Sequence, residues 1–285
     1  MSNKKLQEYI ADDCVAQKTV ANVATKGGDP VAGTACEFHG ISFVWIPAGE
    51  FLMGGPYDEI GRDSDEGPVH KVAFKSGFWM GECTVTQKQW WNVMGSYPSE
   101  WQEVEVIDSS PGEWKGDNLP VIMVSWNAAQ DFLKRLNQQS GQSFRLPSEA
   151  EWEYACRAGT TGPFSFDLPI TTDKANYDGG FSYVGSPEGE FRDRPLPVRS
   201  FQPNPWGLYQ MHGNVSEWVQ DAWHQNYEGA PKDGSAWLLG NDNMRVLRGG
   251  SWRDSPGFLR SALRYGNPVN DRSSHIGFRL IIGCG

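Results

Sequence analysis

The chain has 285 residues and a formal net charge of −10, with 21% charged and 39% hydrophobic residues. These proportions support a folded core and exclude wholesale disorder. Because an acidic surface repels phosphate groups, the charge argues against binding to nucleic acid or to an anionic membrane. The 33 glycines and 18 prolines predict many turns, so long regular helices cannot dominate the fold.

The first 40 residues differ in composition from the rest of the chain. They are mostly small and polar, with a Gly-Gly-Asp-Pro turn at residues 27–30. We expect residues 1–40 to form an N-terminal extension with one short helix at residues 5–15. From residue 41 onward no linker interrupts the sequence, which predicts one domain over residues 41–285.

Two features of the sequence bear on the compartment. No run of about 18 apolar residues exists, so no membrane span is expected. The N-terminus also lacks the apolar core of a signal peptide. Export to the periplasm or cell surface is favoured if a signal was removed, and a cytoplasmic location is the alternative.

The cysteines are five in number, and none lies in a CxxC pair or a zinc-type spacing. Cys14 and Cys36 lie in the same N-terminal stretch and could pair in an oxidising compartment. Free or buried thiols are an equally good interpretation. The odd count leaves at least one thiol unpaired within the chain.

Short strands are predicted near the start of the domain. Residues 43–53 (FVWIPAGEFLM) indicate two strands around a Pro-Ala-Gly turn. A polar, acidic loop follows at residues 54–68. Residues 69–74 and 78–82 are the next two predicted strands.

Three helices are predicted from apolar spacing and capping residues. Apolar residues at helical spacing predict a helix over residues 125–137, with its first serine as the N-cap. Another begins at Ser148, which forms a capping box with Glu151, and ends at Gly159. A shorter helix is predicted at residues 86–94.

The chain beyond Gly159 is a long stretch of turns until the predicted strands at residues 245–247 and 277–282. A long region without helices inside a compact domain is more often functional than idle. Its backbone groups and its entropy cost need compensation. Bound metal and tryptophan packing are the two candidates.

Eight segments occur in an order that resembles the formylglycine-generating-enzyme (sulfatase-modifying factor) family. They are residues 46–54 (IPAGEFLMG), 65–70 (DEGPVH), 84–86 (TVT), 120–126 (PVIMVSW), 145–155 (RLPSEAEWEYA), 206–218 (WGLYQMHGNVSEW), 245–252 (RVLRGGSW) and 277–280 (GFRL). The resemblance covers about residues 41–282. It implies an α+β fold, an elaborated C-type lectin domain with little regular secondary structure.

The resemblance also implies calcium as a cofactor, because members of this family hold calcium in two loop sites. Calcium prefers roughly six to eight oxygen ligands. The first site maps onto Asn176, Tyr177, Glu190 and Arg192, where Tyr177 and Arg192 would offer backbone oxygens.

The second calcium site maps onto Gln210, Gly213, Val215 and Glu217. Gln210 departs from the family pattern, which usually has Asn or Asp at this position. An alternative role for Glu217 is that of a buried carboxylate bonded to backbone amides.

Copper is not expected, although catalytic members of the family bind it through two cysteines near the C-terminus. Cu(I) needs soft thiolate ligands. Residues 252–276 (WRDSPGFLRSALRYGNPVNDRSSHI) contain no cysteine, and Cys284 lies beyond the last predicted strand. Formylglycine formation by the copper route is therefore not expected.

The same C-terminal segment resembles the variable region of diversity-generating-retroelement display proteins, which use this fold. Aromatic and small polar residues there form a surface like that of an antibody paratope. The predicted ligand-binding residues are Trp252, Asp254, Ser255, Phe258, Leu263, Tyr265, Asn267, Asn270, Ser273, Ser274 and His275. Plain surface loops are the alternative interpretation.

Two further sets of residues have a functional and a structural interpretation. His70 and His212 are candidates for metal binding or acid–base chemistry, although such histidines are more often core or hydrogen-bonding residues. The tryptophans could form a sugar platform, but a core role with ring nitrogens bonded to carbonyl oxygens is favoured. This set is Trp45, Trp79, Trp126, Trp152, Trp206, Trp218 and Trp252.

We therefore expect a non-catalytic, monomeric protein that binds an unknown protein or small-molecule ligand through its C-terminal surface. The alternative is a cysteine-independent oxidoreductase of the same family, of the type that acts in siderophore chromophore maturation. A structural module that binds another family member is the third hypothesis.

Overall fold

The computed structural model describes residues 29–98, 101 and 114–282. The predicted helix at residues 5–15 and Cys14, half of the proposed disulfide, lie outside these residues. Cys36, Cys83 and Cys156 form no disulfide with one another. No helix in the described part is both long and apolar enough to span a bilayer.

Eleven strands are numbered here along the described chain. They are β1 (Ala35–Phe38), β2 (Ile41–Ile46), β3 (Gly49–Met53), β4 (His70–Phe74), β5 (Phe78–Gly81), β6 (Phe144–Arg145), β7 (Ser216–Trp223), β8 (Asn241–Arg248), β9 (Arg264–Pro268), β10 (Ile276–Phe278) and β11 (Ile281–Ile282).

These strands form three sheets. A five-stranded sheet has the order β1-β2-β5-β11-β6, a four-stranded sheet has the order β10-β7-β8-β9, and β3 pairs with β4 in a two-stranded ribbon. The first strand comes from the segment assigned to the N-terminal extension, and it pairs antiparallel with β2. The C-terminal chain supplies β9, β10 and β11, so it joins the two larger sheets.

The three predicted helices are confirmed. They are α1 (Gln87–Met94), α2 (Trp126–Ser140) and α3 (Glu149–Arg157). The capping box of Ser148 and Glu151 is present at the start of α3. The end of α3 differs by one residue, because Ala158 and not Gly159 is the left-handed C-cap, with a φ of 45°.

The strand predictions are confirmed in part. The strands around the Pro-Ala-Gly turn are β2 and β3, but they enter different sheets. The strand predicted at residues 277–282 is two strands, of which β10 pairs with β7 and β11 pairs with β5 and β6. Strand β7 was not predicted, because most of its residues are buried and the apolar–polar alternation of a half-exposed strand is absent.

The tryptophans mainly fill the core, as the structural interpretation proposed. Trp152 and Trp218 are fully buried. The indole nitrogens of Trp218 and Trp126 donate to the carbonyl oxygens of Val124 and Val219, each at 2.9 Å. A buried indole N–H needs such a partner, and these two bonds join strand β7 to the start of α2 and to the loop before it.

Four buried arginine–carboxylate pairs connect residues 248–279 to earlier parts of the chain. They are Arg248–Glu153, Arg260–Glu66, Arg264–Glu149 and Arg279–Glu217. Both side chains of each pair are almost inaccessible to solvent. Burial of a charge is costly unless it is paired and fully hydrogen-bonded. These pairs therefore hold the backbone around them in one arrangement, and they are called the arginine framework below.

A candidate ligand-binding face at the C-terminus

The predicted ligand-binding residues lie on three consecutive elements. A short 3-10 helix (Pro256–Leu259) is followed by strand β9 and by the loop that leads to β10. Strand β9 pairs with β8 from Arg264 to Pro268. The sheet therefore fixes the central part of the segment, and the 3-10 helix and the loop extend it on either side.

Two of the predicted ligand-binding residues are in the core. Trp252 is 7% exposed and its ring packs against Trp114 at a centroid distance of 5.7 Å. Leu263 is 1% exposed. Both were predicted to be surface residues because an apolar side chain in a binding surface cannot be told from one in the core by sequence. Their side chains instead form part of the core beneath the exposed residues of this segment.

The other predicted residues are half-buried or exposed, and together they are called the C-terminal face. They are Asp254, Ser255, Phe258, Tyr265, Asn267, Asn270, Ser273, Ser274 and His275. The rings of Phe258 and Tyr265 lie 5.9 Å apart. Phe258 is 39% exposed, so this aromatic pair offers an apolar contact surface among polar side chains.

Arg260 brings an acidic loop beside this face. Its guanidinium donates to both carboxylate oxygens of Glu66, at 2.6 and 2.8 Å, and to Glu59 at 2.5 Å. It also donates to the carbonyl oxygen of Gly61. The loop after β3 is thereby held against the C-terminal segment.

The acid–base state of the face follows from burial and from neighbouring carboxylates. Burial raises the pKa of Tyr265, and the nearby charges of Asp254 and Asp63 raise it further. Burial lowers the pKa of His275, although Asp254 acts in the opposite direction. At neutral pH the face therefore presents a neutral phenol and a neutral imidazole near a carboxylate.

Two buried polar atoms, one in the face and one in the acidic loop beside it, lack a hydrogen-bond partner among the described residues. The buried Nδ1 atom of His275 has no hydrogen-bond partner in the described part of the chain. The same holds for Oδ1 of Asp65 in the acidic loop, whose charge also raises the pKa of Tyr265. An unpaired buried polar atom costs about 1–3 kcal/mol, so a ligand that supplied partners would gain affinity here.

The acidic loop was not predicted as part of the site. Its Asp-Glu-Gly-Pro-Val-His motif was used only as a family resemblance. The contact that brings it to the site joins Glu66 in that motif to Arg260 in the C-terminal segment. Nothing in the sequence indicates which arginine a given carboxylate will contact.

The first predicted calcium set contains one oxygen suited to a cation. Asn176 is 1% exposed, and its Oδ1 atom has no hydrogen-bond partner among the described residues. Its Nδ2 atom donates to Arg194 and to Asn214, which orients the amide. The side chain of Glu190 is 66% exposed and contacts Arg192 at 3.1 Å. Amide, carboxylate and carbonyl oxygens of this kind fit calcium.

The second predicted calcium set does not offer its carboxylate. Both oxygens of Glu217 accept from Arg279, at 2.6 and 2.7 Å, and one also accepts from Trp152 at 2.8 Å. The Gln210 side chain is bonded to the backbone of Arg199 and Pro197. Gly213 and Val215 lie in the same loop, but a carboxylate neutralised by a guanidinium does not fit calcium. Glu217 is buried as the alternative proposed, with side chains rather than backbone amides as its partners.

The histidine candidates are in structural positions. His212 is 4% exposed, its Nδ1 atom lies 2.8 Å from the carbonyl oxygen of Leu259, and its Nε2 atom accepts from the backbone of Ser165. Burial lowers the pKa of His212 to about 4. His70 is half-buried with Nδ1 3.1 Å from the carbonyl oxygen of Pro68. Neither histidine lies among the residues of the C-terminal face.

Residues 29–283 match the family described as the sulfatase-modifying factor enzyme 1-like domain. The chain belongs to this family. The formylglycine-generating enzyme of Mus musculus is 35% identical to it over 311 residues, which cover 90% of this chain and 77% of that protein.

Two solved structures of this fold are informative neighbours. PvdO from Pseudomonas aeruginosa is 34% identical, with a TM-score of 0.76, and the match covers 89% of this chain and 99% of that one. Treponema denticola variable protein 1 is 26% identical, with a TM-score of 0.69 and the same coverage. They confirm the predicted α+β fold of the formylglycine-generating-enzyme type, with little regular secondary structure.

Proposed function

We propose that this family member is a non-catalytic ligand-binding protein whose C-terminal face contacts the ligand. The observation that carries the proposal is the division of one short segment into two sets of side chains. Arg260 and Arg264 are buried in ion pairs, whereas Phe258, Tyr265 and their polar neighbours reach the surface.

Such a division is suited to recognition. A rigid support lowers the entropy cost of ordering a binding surface, because less freedom is lost on association. Aromatic side chains with few rotatable bonds and small polar side chains are the residues that antibody loops use for contact. The similarity in fold to a protein named a variable protein supports the same interpretation.

The proposal is tested by screening the purified chain against peptide, glycan and metabolite arrays. Any ligand that binds is then measured with the variants Phe258→Ala and Phe181→Ala. Phe181 is 56% exposed and lies outside the C-terminal face, so it serves as the matched control. We expect affinity to fall at least about tenfold, or about 1.4 kcal/mol, only for Phe258→Ala. Equal effects of the two variants, or no ligand at all, would contradict the proposal.

The second candidate function is cysteine-independent oxidation at the same face. It is favoured by the location of Asp254, Tyr265 and His275 near one another, since a neutral imidazole near a carboxylate can transfer protons. Oxygen consumption or a mass change in a ligand found by the screen would support it. Loss of that turnover in Tyr265→Phe, with ligand binding retained, would assign the chemistry to the face.

We also propose calcium at the first predicted set, Asn176, Tyr177, Glu190 and Arg192. The support is the unpaired Oδ1 atom of Asn176, together with the oxygen donors that the other three residues carry. A bound calcium ion would supply positive charge that ties together a region with few regular elements. Its expected role is structural, since this set holds none of the residues of the C-terminal face.

A further inference from the structure

The β3–β4 ribbon has one unpaired side. Strands β3 and β4 pair antiparallel, with Gly49 opposite Phe74 at one end and Met53 opposite His70 at the other. Strand β3 pairs with no other described strand. The far side of β4 is partly covered, because the amide of Ala73 donates to the carbonyl oxygen of Lys232 at 2.9 Å. The free side of the ribbon is therefore the outer edge of β3.

The register shows which backbone groups lie along this edge. Because the amide of Ala73 points away from β3, the pair of Glu50 and Ala73 is a non-hydrogen-bonded pair of the ladder. The N–H and C=O groups of Glu50 point away from β4 for the same reason. Two residues further on, those of Leu52 point the same way.

These four groups have no partner within the described residues. No backbone or side-chain hydrogen bond involves the amide or carbonyl of Glu50 or Leu52 in that part of the chain. In contrast, Phe51 lies opposite Val72 and Met53 opposite His70 in the hydrogen-bonded positions of the ladder. Strand β3 therefore presents two donors and two acceptors in the alternating order of a strand.

A groove of about 540 Å³ adjoins this strand. Its lining includes Phe51 and Leu52 of β3, Tyr154 of α3, and Thr160, which follows the end of α3. Leu52 is 62% exposed and Val69, also in the groove, is 39% exposed. Exposed apolar side chains beside an unpaired strand are uncommon, since such edges promote unwanted pairing unless they have a partner.

We propose that the free edge of β3 binds an extended segment of a different protein, which adds a third strand to the ribbon. Only an extended backbone supplies acceptors and donors at the spacing of Glu50 and Leu52. Alternate side chains of the added strand would point to opposite faces of the ribbon. One set would pack toward Phe51 and Tyr154, so these residues are expected to be apolar.

The charge at the groove adds a second requirement for the partner. Lys71 and Glu50 form an exposed ion pair at 2.7 Å on the outer face of the ribbon. A residue of the added strand on this face lies next to both charges, so a polar side chain is expected there. The partner is thus a segment with apolar residues toward Phe51 and, on the opposite face, a polar residue beside Glu50 and an apolar residue beside the exposed Leu52. This inference concerns a site distinct from the C-terminal face and does not depend on its ligand.

Amide hydrogen exchange of the full chain at low concentration tests whether the outer edge of β3 is unpaired. The amides of Glu50 and Leu52 should exchange rapidly, while those of Phe51 and Met53 are protected. Slow exchange of Glu50 and Leu52 at every concentration would show that the chain covers its own edge. Protection that grows with protein concentration would show that a second copy is the partner. Either result overturns the proposal.

The binding itself is tested by selecting heptapeptides from a random phage-displayed library on the wild-type chain. Selected peptides, made synthetically, should protect the amides of Glu50 and Leu52 from exchange. Their affinity should fall at least about tenfold for Leu52→Pro, because proline lacks the outward N–H. Leu52→Thr keeps this N–H and is the matched control for the loss of the leucine side chain.

Several outcomes are decisive against the site. A selection that returns no peptide, or only peptides that leave the Glu50 and Leu52 amides unprotected, overturns the proposal. If Leu52→Pro does not fold, the exchange measurement on the wild-type complex still decides. Peptides whose binding is lost in Phe258→Ala but kept in Leu52→Pro would assign them to the C-terminal face instead.

Discussion

Arg260 and Phe258 are two residues apart, yet Arg260 is completely buried among carboxylates while 39% of Phe258 is exposed. The same contrast recurs at Arg264 and Tyr265, which are neighbours on β9. Adjacent positions of one segment thus belong either to the arginine framework or to the C-terminal face. The difference teaches that neighbouring side chains of one segment can be divided between buried ion pairs and an exposed surface, which is where we propose that a ligand binds.

The largest expected effect comes from a substitution within the arginine framework. Arg260→Ala removes the guanidinium that pairs with Glu66 and leaves the buried carboxylate of Glu66 without that partner. We expect a loss of about 3–5 kcal/mol in the free energy of unfolding, as for other broken buried pairs. Urea denaturation measures it.

Arg253→Ala is the control for that experiment, because Arg253 is exposed in the same segment. Its free energy of unfolding should change by less than about 0.5 kcal/mol. Similar losses for both arginines would contradict the division into framework and face.

The next effect is a pH dependence of stability due to the buried His212, which contacts the carbonyl oxygen of Leu259. Its pKa of about 4 in the folded protein lies below the unfolded value of 6.5 because burial disfavours the charged ring. The unfolded chain therefore binds a proton first on acidification. Stability due to the neutral ring is complete above pH 6.5 and is lost as the pH falls toward 4, by about 3 kcal/mol in total.

Thermal or urea unfolding of wild type and His212→Asn at several pH values isolates this contribution. Asparagine retains a donor for the carbonyl oxygen of Leu259 but does not titrate. Burial raises the pKa of Asp221 to about 7, which gives the opposite slope between pH 4 and 7, but this contribution is present in both proteins and cancels. Parallel pH profiles would show that His212 is accessible to protons in the folded state.

A smaller effect compares the two predicted calcium sets. If the first set holds calcium, a free concentration of 100 times the dissociation constant should stabilise the fold by about 2.7 kcal/mol. A chelator should remove that stabilisation from the wild type. Asn176→Ala should abolish the response to calcium, whereas Gln210→Ala in the second set should retain it.

Differential scanning calorimetry with and without chelator gives the result. A wild-type melting temperature that is unchanged by chelator contradicts calcium at the first set. A response lost in Gln210→Ala and retained in Asn176→Ala would place the ion at the second set, despite the pairing of Glu217 with Arg279.

The smallest stability effect is expected on the face itself. Phe258→Ala and Tyr265→Ala should each change the free energy of unfolding by at most about 1 kcal/mol, since both side chains are partly exposed. Their effect on ligand affinity should be larger than their effect on stability. The reverse order, measured by unfolding and by titration, would place these rings in the core.

Local signals were enough to predict much of the fold. The capping box of Ser148 and Glu151, the apolar spacing of α2 and the turn between β2 and β3 involve residues close in sequence, so a short window contains the whole interaction. The same is true of the motif series that indicated the family. The absence of cysteine from residues 252–276 is also a property of the sequence alone.

Contacts between distant residues were decided only by the tertiary structure. The burial of Trp252 and Leu263, the pairing of Glu217 with Arg279 and the approach of Glu66 to Arg260 join residues that no local pattern relates. The free edge of β3 is likewise visible only once every strand has its neighbours. Local propensity and capping act over a few residues, whereas burial and charge pairing depend on which surfaces meet when the whole chain folds.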